Sequence, residues 1–467
     1  MTCILLMIPA AISYYSSSRL YYGFKATKAK TFDECMERIL GNKIGYISNI
    51  MIFLHTFGAV VVVWIFSYKS ILSALKDIFG KTKVAGFETV FKYSYFTFVM
   101  LLLFASSLSG KIEKLKVISI FGLVIIIYLI CVFSVLCTDY YEYYNEIEHI
   151  KIVNFEWNKY FFSTYGICQY LFLNQYTVIP ICNNVKMVTS KRITKVIRRT
   201  ILGSLVIYFL VLFIGYFSQP NLHIMDEADM EKLFILREKI PDSNDMPILI
   251  GKLLFGIYLI IAVLVKGHFF ILYFNQLVMN TKNLIQGKPI IRAELGKMIY
   301  DHEQTSYPGE NRIETLSMDN DLITEILNDQ NNISADEIVI VKNTKRNKII
   351  TNFLFLLITT VLNLLLLDYL SKFLSIIGSF VSIFEIIVFP LAMLFALNAK
   401  IKLIGKAEKI VLIIFSFIFV IMGACAFVMS FFNDVRGALR RHGGDAQARL
   451  RDGGGLEVTL RLPTSDG

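Results

Sequence analysis

The chain has 467 residues, of which 55% are hydrophobic, and its formal net charge is +10. The basic excess lies mainly in the connections between long apolar stretches, so it reflects membrane topology and excludes a nucleic-acid-binding role. The seven cysteines are scattered singly, without a CxxC or Cys/His spacing, which excludes a disulfide framework and a metal site.

Ten long apolar stretches follow one another along the chain. Each approaches or exceeds the length of about 20 residues that a helix needs to cross a bilayer. The sequence therefore predicts an all-α, polytopic membrane protein with about ten transmembrane helices. The predicted spans are Met1–Tyr15, Tyr46–Tyr68, Tyr93–Leu108, Val117–Cys137, Tyr160–Cys182, Ile201–Phe217, Ile248–Val278, Ile350–Leu370, Phe373–Leu397 and Ile410–Phe432.

Two regions differ in composition from these spans. Residues 280–348 are polar and mixed in charge, which predicts a partly disordered cytosolic loop between the transmembrane regions 1–279 and 349–432. Residues 433–467 are rich in Gly and Arg and lack the Lys, Ile, Phe, Tyr and Asn that are common elsewhere. This change predicts a disordered tail or an artefactual segment that is foreign to the rest of the chain.

The connections alternate in charge, and cytosolic loops are the ones that retain Lys and Arg. The loops predicted to face the cytosol are Arg19–Lys43, Lys111–Lys116, Lys186–Arg199 and Lys400–Lys409. The acid-rich segments predicted to face outward or into a lumen are Asp139–Glu156 and Asp226–Asp245. One connection, Lys69–Lys92, is basic although it falls on the predicted outer side.

The span Tyr160–Cys182 has polar residues at its centre, Asn174 and Gln175, with Gly166 and Pro180 on either side. This pattern predicts an interrupted helix, whose half-helix ends and freed backbone groups bind a solute or an ion, as in transporters. A continuous helix, with Asn174 and Gln175 hydrogen-bonded to neighbouring helices, fits the same residues. The composition of the span does not decide between the two.

Short motifs occur in a fixed order along most of the chain up to Phe432. They are Tyr14 to Ser16, Thr31-Phe32-Asp33-Glu34 with Gly41, Lys114-Leu115-Lys116 with Ser119, Tyr170-Leu171-Phe172-Leu173-Asn174-Gln175, Val178-Ile179-Pro180-Ile181, Ser190-Lys191-Arg192, Tyr208, Gly215-Tyr216, and Leu374 to Ser379 with Pro390. Each motif is weak alone. In this order and spacing they resemble the amino acid/auxin permease (AAAP) family.

The resemblance implies a LeuT/APC-like fold of two inverted five-helix repeats plus an eleventh helix. The ten predicted spans are similar to helices 2 to 11 of that family, so the chain is predicted to lack the family's first helix. The implied function is secondary active transport of amino acids, coupled to H⁺ or Na⁺, by alternating access around the broken helix. The implied partners are an amino acid and the bilayer of a plasma membrane or vacuole-like membrane, without another cofactor.

The resemblance implies that the broken span holds part of the substrate site, for which the candidate residues are Gly166, Tyr170, Phe172, Asn174 and Gln175. His55, inside the third family helix, is a further candidate for substrate binding. His55 has two interpretations, because a membrane histidine either lines the substrate path and titrates or bonds to a neighbouring helix.

Two charged residues lie near the middle of predicted spans, Lys266 and Glu385. A charge at that depth is costly and by default marks function with a partner. We predict that the two pair and take part in ion coupling, with the Lys266 ammonium in place of a sodium ion. Lys266 in an aqueous vestibule or snorkelling to the interface is the alternative. Glu385 either carries a coupling proton or bonds a neighbouring helix.

Three further outcomes stay open from the sequence. A non-transporting amino acid sensor would signal through Asn280–Asn347, and a truncated protein would be a non-functional transporter. A membrane enzyme such as an acyltransferase would have to use His55 or His268. These histidines are isolated from any nucleophile and orienting group, so no catalytic residue is predicted and the protein is not expected to be an enzyme.

Overall fold

The computed structural model describes residues 2–109, 120–135, 161–185, 189–218, 246–285, 345–367, 369–401, 405–441, 445–450 and 456–461. Within these residues the protein is nearly all helical, with a single two-stranded antiparallel sheet near the C-terminus of the chain. The predicted all-α class is confirmed.

The helices are numbered in chain order. They are α1 (Thr2–Thr27), α2 (Phe32–Leu40), α3 (Asn42–Phe79), α4 (Lys81–Ser109), α5 (Ile120–Val135), α6 (Phe161–Leu171), α7 (Gln175–Asn184), α8 (Ser190–Ser218), α9 (Met246–Ile285), α10 (Lys345–Leu366), α11 (Leu370–Ser382), α12 (Phe389–Ile401) and α13 (Lys406–Arg441). A π-helix, Ile383–Val388, joins α11 to α12. Strands β1 (Asp445–Leu450) and β2 (Leu456–Arg461) pair with each other.

Seven helices in the described part of the chain are long and apolar enough to cross a membrane. They cover Asn42–Phe79, Thr82–Ser107, Ser190–Gly215, Met246–Lys282, Ile349–Leu366, Phe373–Ala399 and Glu408–Met429. The three other predicted spans fall on α1, on the shorter apolar helix α5 and on the pair α6 and α7. The prediction of a polytopic membrane protein is confirmed, and the count of ten spans stays a prediction.

Three predicted boundaries fall inside helices. Helix α9 continues to Ile285 and α10 begins at Lys345, so both ends of the predicted loop 280–348 are helical. Helix α13 continues past residue 433 to Arg441, and the two strands follow it. The remainder of the 280–348 loop lies outside the described residues. The predicted loops Lys111–Lys116, Asp139–Glu156 and Asp226–Asp245 lie outside them too.

The two longest helices, α3 with 38 residues and α9 with 40, pack side by side in opposite directions. The Tyr46 and Thr281 hydroxyls are 2.9 Å apart near one end, and Gly256 packs against Ile71 near the other. One hydrophobic core joins α3 to α4, α9 and α10, and another joins α1, α2, α6, α7, α12 and the π-helix. Helix α3 contributes to both cores, so its central residues lie where the two meet.

Helix α2 is short, and its sequence fixes both ends. The Thr31 hydroxyl accepts the Glu34 N–H at 3.4 Å, and the Glu34 carboxylate accepts the Lys30 N–H at 2.7 Å. This reciprocal capping stabilises the first turn, and the Arg38–Glu34 ion pair at 2.5 Å spans the next one. Gly41 ends the helix at a φ of 93°, a conformation that favours glycine. The first turn of α2 is thereby held against the bundle.

Candidate functional site

The span that the sequence predicts to be interrupted consists of two helices, α6 and α7, separated by Phe172–Asn174. Neither Gly166 nor Pro180 lies in this break, because Gly166 is inside α6 and Pro180 is inside α7. The alternative of a continuous helix is therefore wrong. The break coincides with the polar residues at the centre of the span and not with its glycine or its proline.

Side chains satisfy part of the backbone that the break frees. The Ser13 hydroxyl on α1 donates to the carbonyl of Phe172 at 2.8 Å. The Thr177 hydroxyl on α7 donates to the carbonyl of Asn174 at 2.7 Å. A backbone group left without a partner at membrane depth costs several kcal/mol, so these bonds stabilise the interrupted geometry. The break between α6 and α7 is therefore stabilised by specific hydrogen bonds, one of which comes from α1.

Gln175 ties α7 to α1. Its amide nitrogen donates to the hydroxyls of Ser13 at 3.0 Å and Ser16 at 3.2 Å, and its amide oxygen accepts the Asn174 N–H at 3.0 Å. The side chain is fully buried. Both amide hydrogens are therefore used within the protein, and a direct bond from Gln175 to a substrate stays a prediction.

The two other predicted residues of the break point to different surroundings. Phe172 is fully buried and its ring lies 5.6 Å from the ring of Tyr208 on α8. Asn174 is exposed at the break. The structure thus leaves Asn174 accessible to a solute, whereas Phe172 packs in the core.

Gly166 brings α6 close to α11. A Cβ atom at Gly166 would lie 2.7 Å from the carbonyl oxygen of Ser375 and closer still to the Ser379 hydroxyl. A Cβ atom at Gly378 would in turn collide with the Gly166 carbonyl oxygen and lie 2.9 Å from the Cβ of Tyr170. Small residues allow such close contacts between membrane helices. The geometry gives Gly166 a packing role, and its predicted part in substrate binding stays a prediction.

The predicted residues His55 and Glu385 form one buried pair. His55 Nδ1 on α3 and Glu385 Oε2 in the π-helix are 2.9 Å apart. The other carboxylate oxygen, Oε1, bonds no atom in the described part of the chain. Two tyrosines of the broken span enclose the imidazole, because Tyr170 donates to the His55 carbonyl at 3.4 Å and the Tyr176 ring centroid lies 4.8 Å from the imidazole.

The π-helix explains why Glu385 reaches this position. It replaces regular α-helical geometry between α11 and α12, and short π-helical segments are frequent at functional sites. Glu385 is fully buried there. The site therefore joins α3, both halves of the broken span and the π-helix.

The predicted pairing of Lys266 with Glu385 is wrong. Glu385 bonds His55 instead, and the Lys266 side chain lies exposed on the surface of α9. The cause is geometric: neighbouring Gly267 packs against Leu103 of α4, so this part of α9 turns a different face towards the bundle. That Lys266 snorkels or lies in an aqueous vestibule stays a prediction. Its predicted role in ion coupling stays a prediction.

A cavity of about 270 Å³ lies beside the site, between α1, the π-helix, α12 and α13. Its walls are mainly apolar and include Ser16, the residue that bonds Gln175. Tyr15, Arg19 and Glu408 also line it and bond one another. Glu408 pairs with Arg19 at 2.5 Å and accepts the Tyr15 hydroxyl at 2.8 Å. The cavity thus combines an apolar body with one charged, internally paired cluster.

Two residues of the site are not evident from the sequence. Ser13 is a lone hydroxyl in an apolar stretch, and the only signal for it is its three-residue spacing from Ser16, which places both on one helix face. Tyr176 follows the polar residues of the break but has no distinctive pattern around it. Among the described residues, no group of three or more His, Cys, Asp or Glu could hold a metal ion.

Comparison with known proteins adds one match. A family model described as transmembrane amino acid transporter protein matches residues 1–433. The matched range contains the broken span, the buried His55–Glu385 pair and the transmembrane part of α13. No curated protein matches the chain.

Proposed function

The chain belongs to the transmembrane amino acid transporter family, and from this we propose that it is a proton-coupled secondary active transporter that alternates access around the α6–α7 break. Membership makes it an integral membrane protein of a family that transports amino acids across membranes. The coupling ion, the mechanism and a LeuT-like arrangement of the helices are the proposed parts. They are supported by the geometry of the site.

The observation that carries the proton coupling is the buried pair of His55 and Glu385. A carboxylate and an imidazole 2.9 Å apart hold one proton between them and can take up a second one. An ionisable pair at membrane depth is typical of proton-coupled transporters. Burying a negative and a positive charge away from water is costly. The number of protons on the pair therefore strongly affects the packing around it.

The break supplies the groups that bind an amino acid. Helix α6 ends at Leu171 with the partial negative charge of its carbonyl groups, and α7 begins at Gln175 with the partial positive charge of its N–H groups. A zwitterion complements these two ends, with its ammonium group towards α6 and its carboxylate towards α7. Exposed Asn174 lies between them and is the residue that we expect to contact the substrate.

The coupling follows from contacts between the pair and the break. Tyr170 at the end of α6 bonds the His55 backbone, and Tyr176 at the start of α7 packs on the His55 ring. A change in the proton content of the pair changes the charge next to both half-helices. We propose that proton binding and substrate binding favour the same conformation of the break, which is the thermodynamic requirement for coupling.

Uptake into proteoliposomes tests this proposal. We expect the purified full chain to accumulate at least one labelled amino acid when the outside is more acidic than the lumen. Glu385→Gln keeps the size of the side chain but cannot exchange a proton. It should lose accumulation driven by the pH gradient, by about 10²-fold or more, and retain counterflow of substrate at equal pH.

Glu88→Gln is the matched control, because Glu88 is a carboxylate outside the site that pairs with Lys76. Its pH-driven accumulation should equal that of the wild type. Accumulation driven by sodium and indifferent to pH would overturn proton coupling. Amino acid binding without flux would instead favour the non-transporting sensor.

A further inference from the structure

A second group of buried polar side chains lies between α2, α3 and α9. Its members are Asp33, Asn49, Gln276 and Asn280, and each is more than nine-tenths buried. The amide nitrogen of Gln276 donates a hydrogen bond to one oxygen of Asp33 at 2.7 Å. In the described part of the chain, the other oxygen of Asp33, the amide oxygen of Gln276 and both amide atoms of each asparagine have no partner.

The packing of α3 on α9 places Asn49 at the level of the two α9 amides. Tyr46 contacts Thr281 at 2.9 Å between hydroxyls, and the rings of Phe53 and Phe274 have centroids 6.2 Å apart. Asn49 is on α3 between these contacts. Its opposite positions on α9 are therefore those between residues 274 and 281.

Helix α2 covers this same side of α3. A Cβ atom at Gly45 would lie 2.6 Å from the Cβ of Glu37, so α2 packs directly on this helix face. Asn49 follows Gly45 by one helical turn on α3, and Asn280 follows Gln276 by one turn on α9. The four polar side chains thus form one group at the junction of the three helices.

The unpaired atoms of this group include both donors and acceptors. Each buried polar atom without a partner costs about 1–3 kcal/mol. A bare cation would satisfy oxygen atoms only and would leave the two asparagine amide nitrogens unpaired. Water satisfies both kinds of atom, and buried waters commonly occupy such polar sites in proteins. The chemistry of the group therefore favours water.

Tyr273 connects this group to the His55–Glu385 pair. It precedes Gln276 by one turn of α9 and is buried. Asp33, Tyr176 and Glu385 are all close enough to Tyr273 to interact with it electrostatically. A hydroxyl can accept and donate a proton, so Tyr273 is suited to link waters on its two sides.

We propose that Asp33 is the exit carboxylate of a hydrated proton path that runs from the His55–Glu385 pair to the cytosolic face. The inference rests on the proposed function, because it supplies the route for the coupling proton. The proton leaves the pair, passes through waters and the Tyr273 hydroxyl, and binds the Asp33 carboxylate. Asp33 then releases it to the side that loop charges assign to the cytosol, since α2 lies within the basic loop Arg19–Lys43.

The state of Asp33 suits this role. Burial raises the pKa of its carboxyl group above the ordinary value, which favours transient proton binding. Burial also raises the pKa of the adjacent Cys35 thiol to about 12, so that thiol keeps its proton. Glu34 and Arg38 bond each other. Asp33 is the carboxyl group of α2 that bonds Gln276 of this polar group.

Other ionisable groups surround the two ends of the path. The helices packed against α2 carry Lys25 of α1, Lys43 and Tyr46 of α3, and Tyr176 and Cys182 of α7. Lys28 lies between α1 and α2, and Glu37 is on α2 itself. Those around the π-helix are Tyr170, Tyr176 and Tyr273, and, beyond it, Tyr15, Arg19 and Glu408, which bond one another.

The test compares two transport modes of the purified full chain in proteoliposomes. Net uptake driven by a pH gradient requires proton release, whereas counterflow at equal pH does not. Asp33→Asn keeps an acceptor for Gln276 but cannot carry a proton. We expect its net uptake to fall about tenfold or more, with counterflow at the wild-type rate. Asp33→Glu should restore net uptake, and Asn280→Leu should show the same selective loss as Asp33→Asn.

Glu34→Gln is the matched control, because Glu34 is 8% exposed against 7% for Asp33 and occupies the same turn of α2. Its ratio of net uptake to counterflow should stay at the wild-type value. An unchanged ratio in both Asp33→Asn and Asn280→Leu would overturn the inference, and so would an equal loss of both modes in the two variants. A wild type without pH-driven uptake would overturn the proposed function itself, before any variant is compared.

Discussion

Glycine decides how closely α6 and α11 approach each other. At Gly378 a side chain would meet the backbone of Gly166 and the Cβ of Tyr170, and both of these are parts of packed helices that cannot rotate away. The same contact holds α6 against the helix that leads into the π-helix. Adding a single methyl group at Gly378 would therefore shift α6 and α11, and with them the geometry of the site.

We expect Gly378→Ala to destabilise the protein by about 1–3 kcal/mol, because overpacking forces the two helices apart. Gly203→Ala is the matched control, since a Cβ atom at that position of α8 has no neighbour within 4 Å. That change should be neutral or stabilising by up to about 1 kcal/mol, from helix propensity. Thermal unfolding in detergent measures both. Equal midpoints for the two variants would contradict the close contact.

Asp33 gives the protein a pH-dependent stability. Its folded pKa is raised by burial, so the folded state holds the proton more tightly than the unfolded chain does. The resulting stability is present below the ordinary pKa of the carboxyl group and is lost as the pH rises through the raised one. We expect the unfolding midpoint of the wild type to fall over this range relative to that of Asp33→Asn. Parallel curves for the two proteins would show that Asp33 is not buried as described.

At the scale of elements, the break between α6 and α7 depends on a helix that is distant in sequence. Ser13 donates to the carbonyl of Phe172 and also accepts the amide of Gln175, so one α1 hydroxyl serves both half-helices. Nothing in Phe172–Asn174 itself supplies these partners. The interruption is therefore a tertiary property as much as a local one.

We expect Ser13→Ala to cost about 1–3 kcal/mol, because it leaves the buried Phe172 carbonyl without its donor. Uptake by this variant should also require more substrate for half-maximal rate, since the half-helix ends lose their fixed positions. Ser18→Ala on the same helix is the control. In the described part of the chain Ser18 bonds the Tyr14 carbonyl of its own helix, at 2.7 Å, so its change should stay within about 0.5 kcal/mol. Indistinguishable effects of the two changes would argue against the role of α1 at the break.

At the scale of the whole molecule, the connection Lys69–Lys92, which is basic although predicted to lie on the outer side, is not a loop but a corner between two helices. Helix α3 runs to Phe79 and α4 begins at Lys81, so a single glycine separates them. Lys76 of α3 pairs with Glu88 of α4 at 3.0 Å. Part of the basic charge is therefore neutralised within the helical corner, which reduces its conflict with the predicted outer position.

A second ion pair at this end of the bundle joins α9 to α3. Lys252 Nζ lies 2.5 Å from the Asp77 carboxylate, and the Lys252 side chain is only 1% exposed. We expect Lys252→Met to destabilise the protein by about 3–5 kcal/mol, because it leaves a largely buried carboxylate without its cation. Lys76→Met should cost about 0–1 kcal/mol, since that pair is 34% and 35% exposed. Similar losses of stability for the two variants in chemical denaturation would show that the Lys252–Asp77 pair is not buried.

The residues of the span Tyr160–Cys182 left an interrupted and a continuous helix open, and the structure decided for the interrupted one. The sequence by itself determined the all-α membrane class and most helix positions, because these follow from local apolar runs. It also identified His55 and Glu385 as unusual at membrane depth. Only the tertiary structure decided that they pair, that Lys266 faces outward and that Ser13 completes the break. Partner choice depends on helix rotation and depth to within one turn, and a pattern of apolar residues does not specify these.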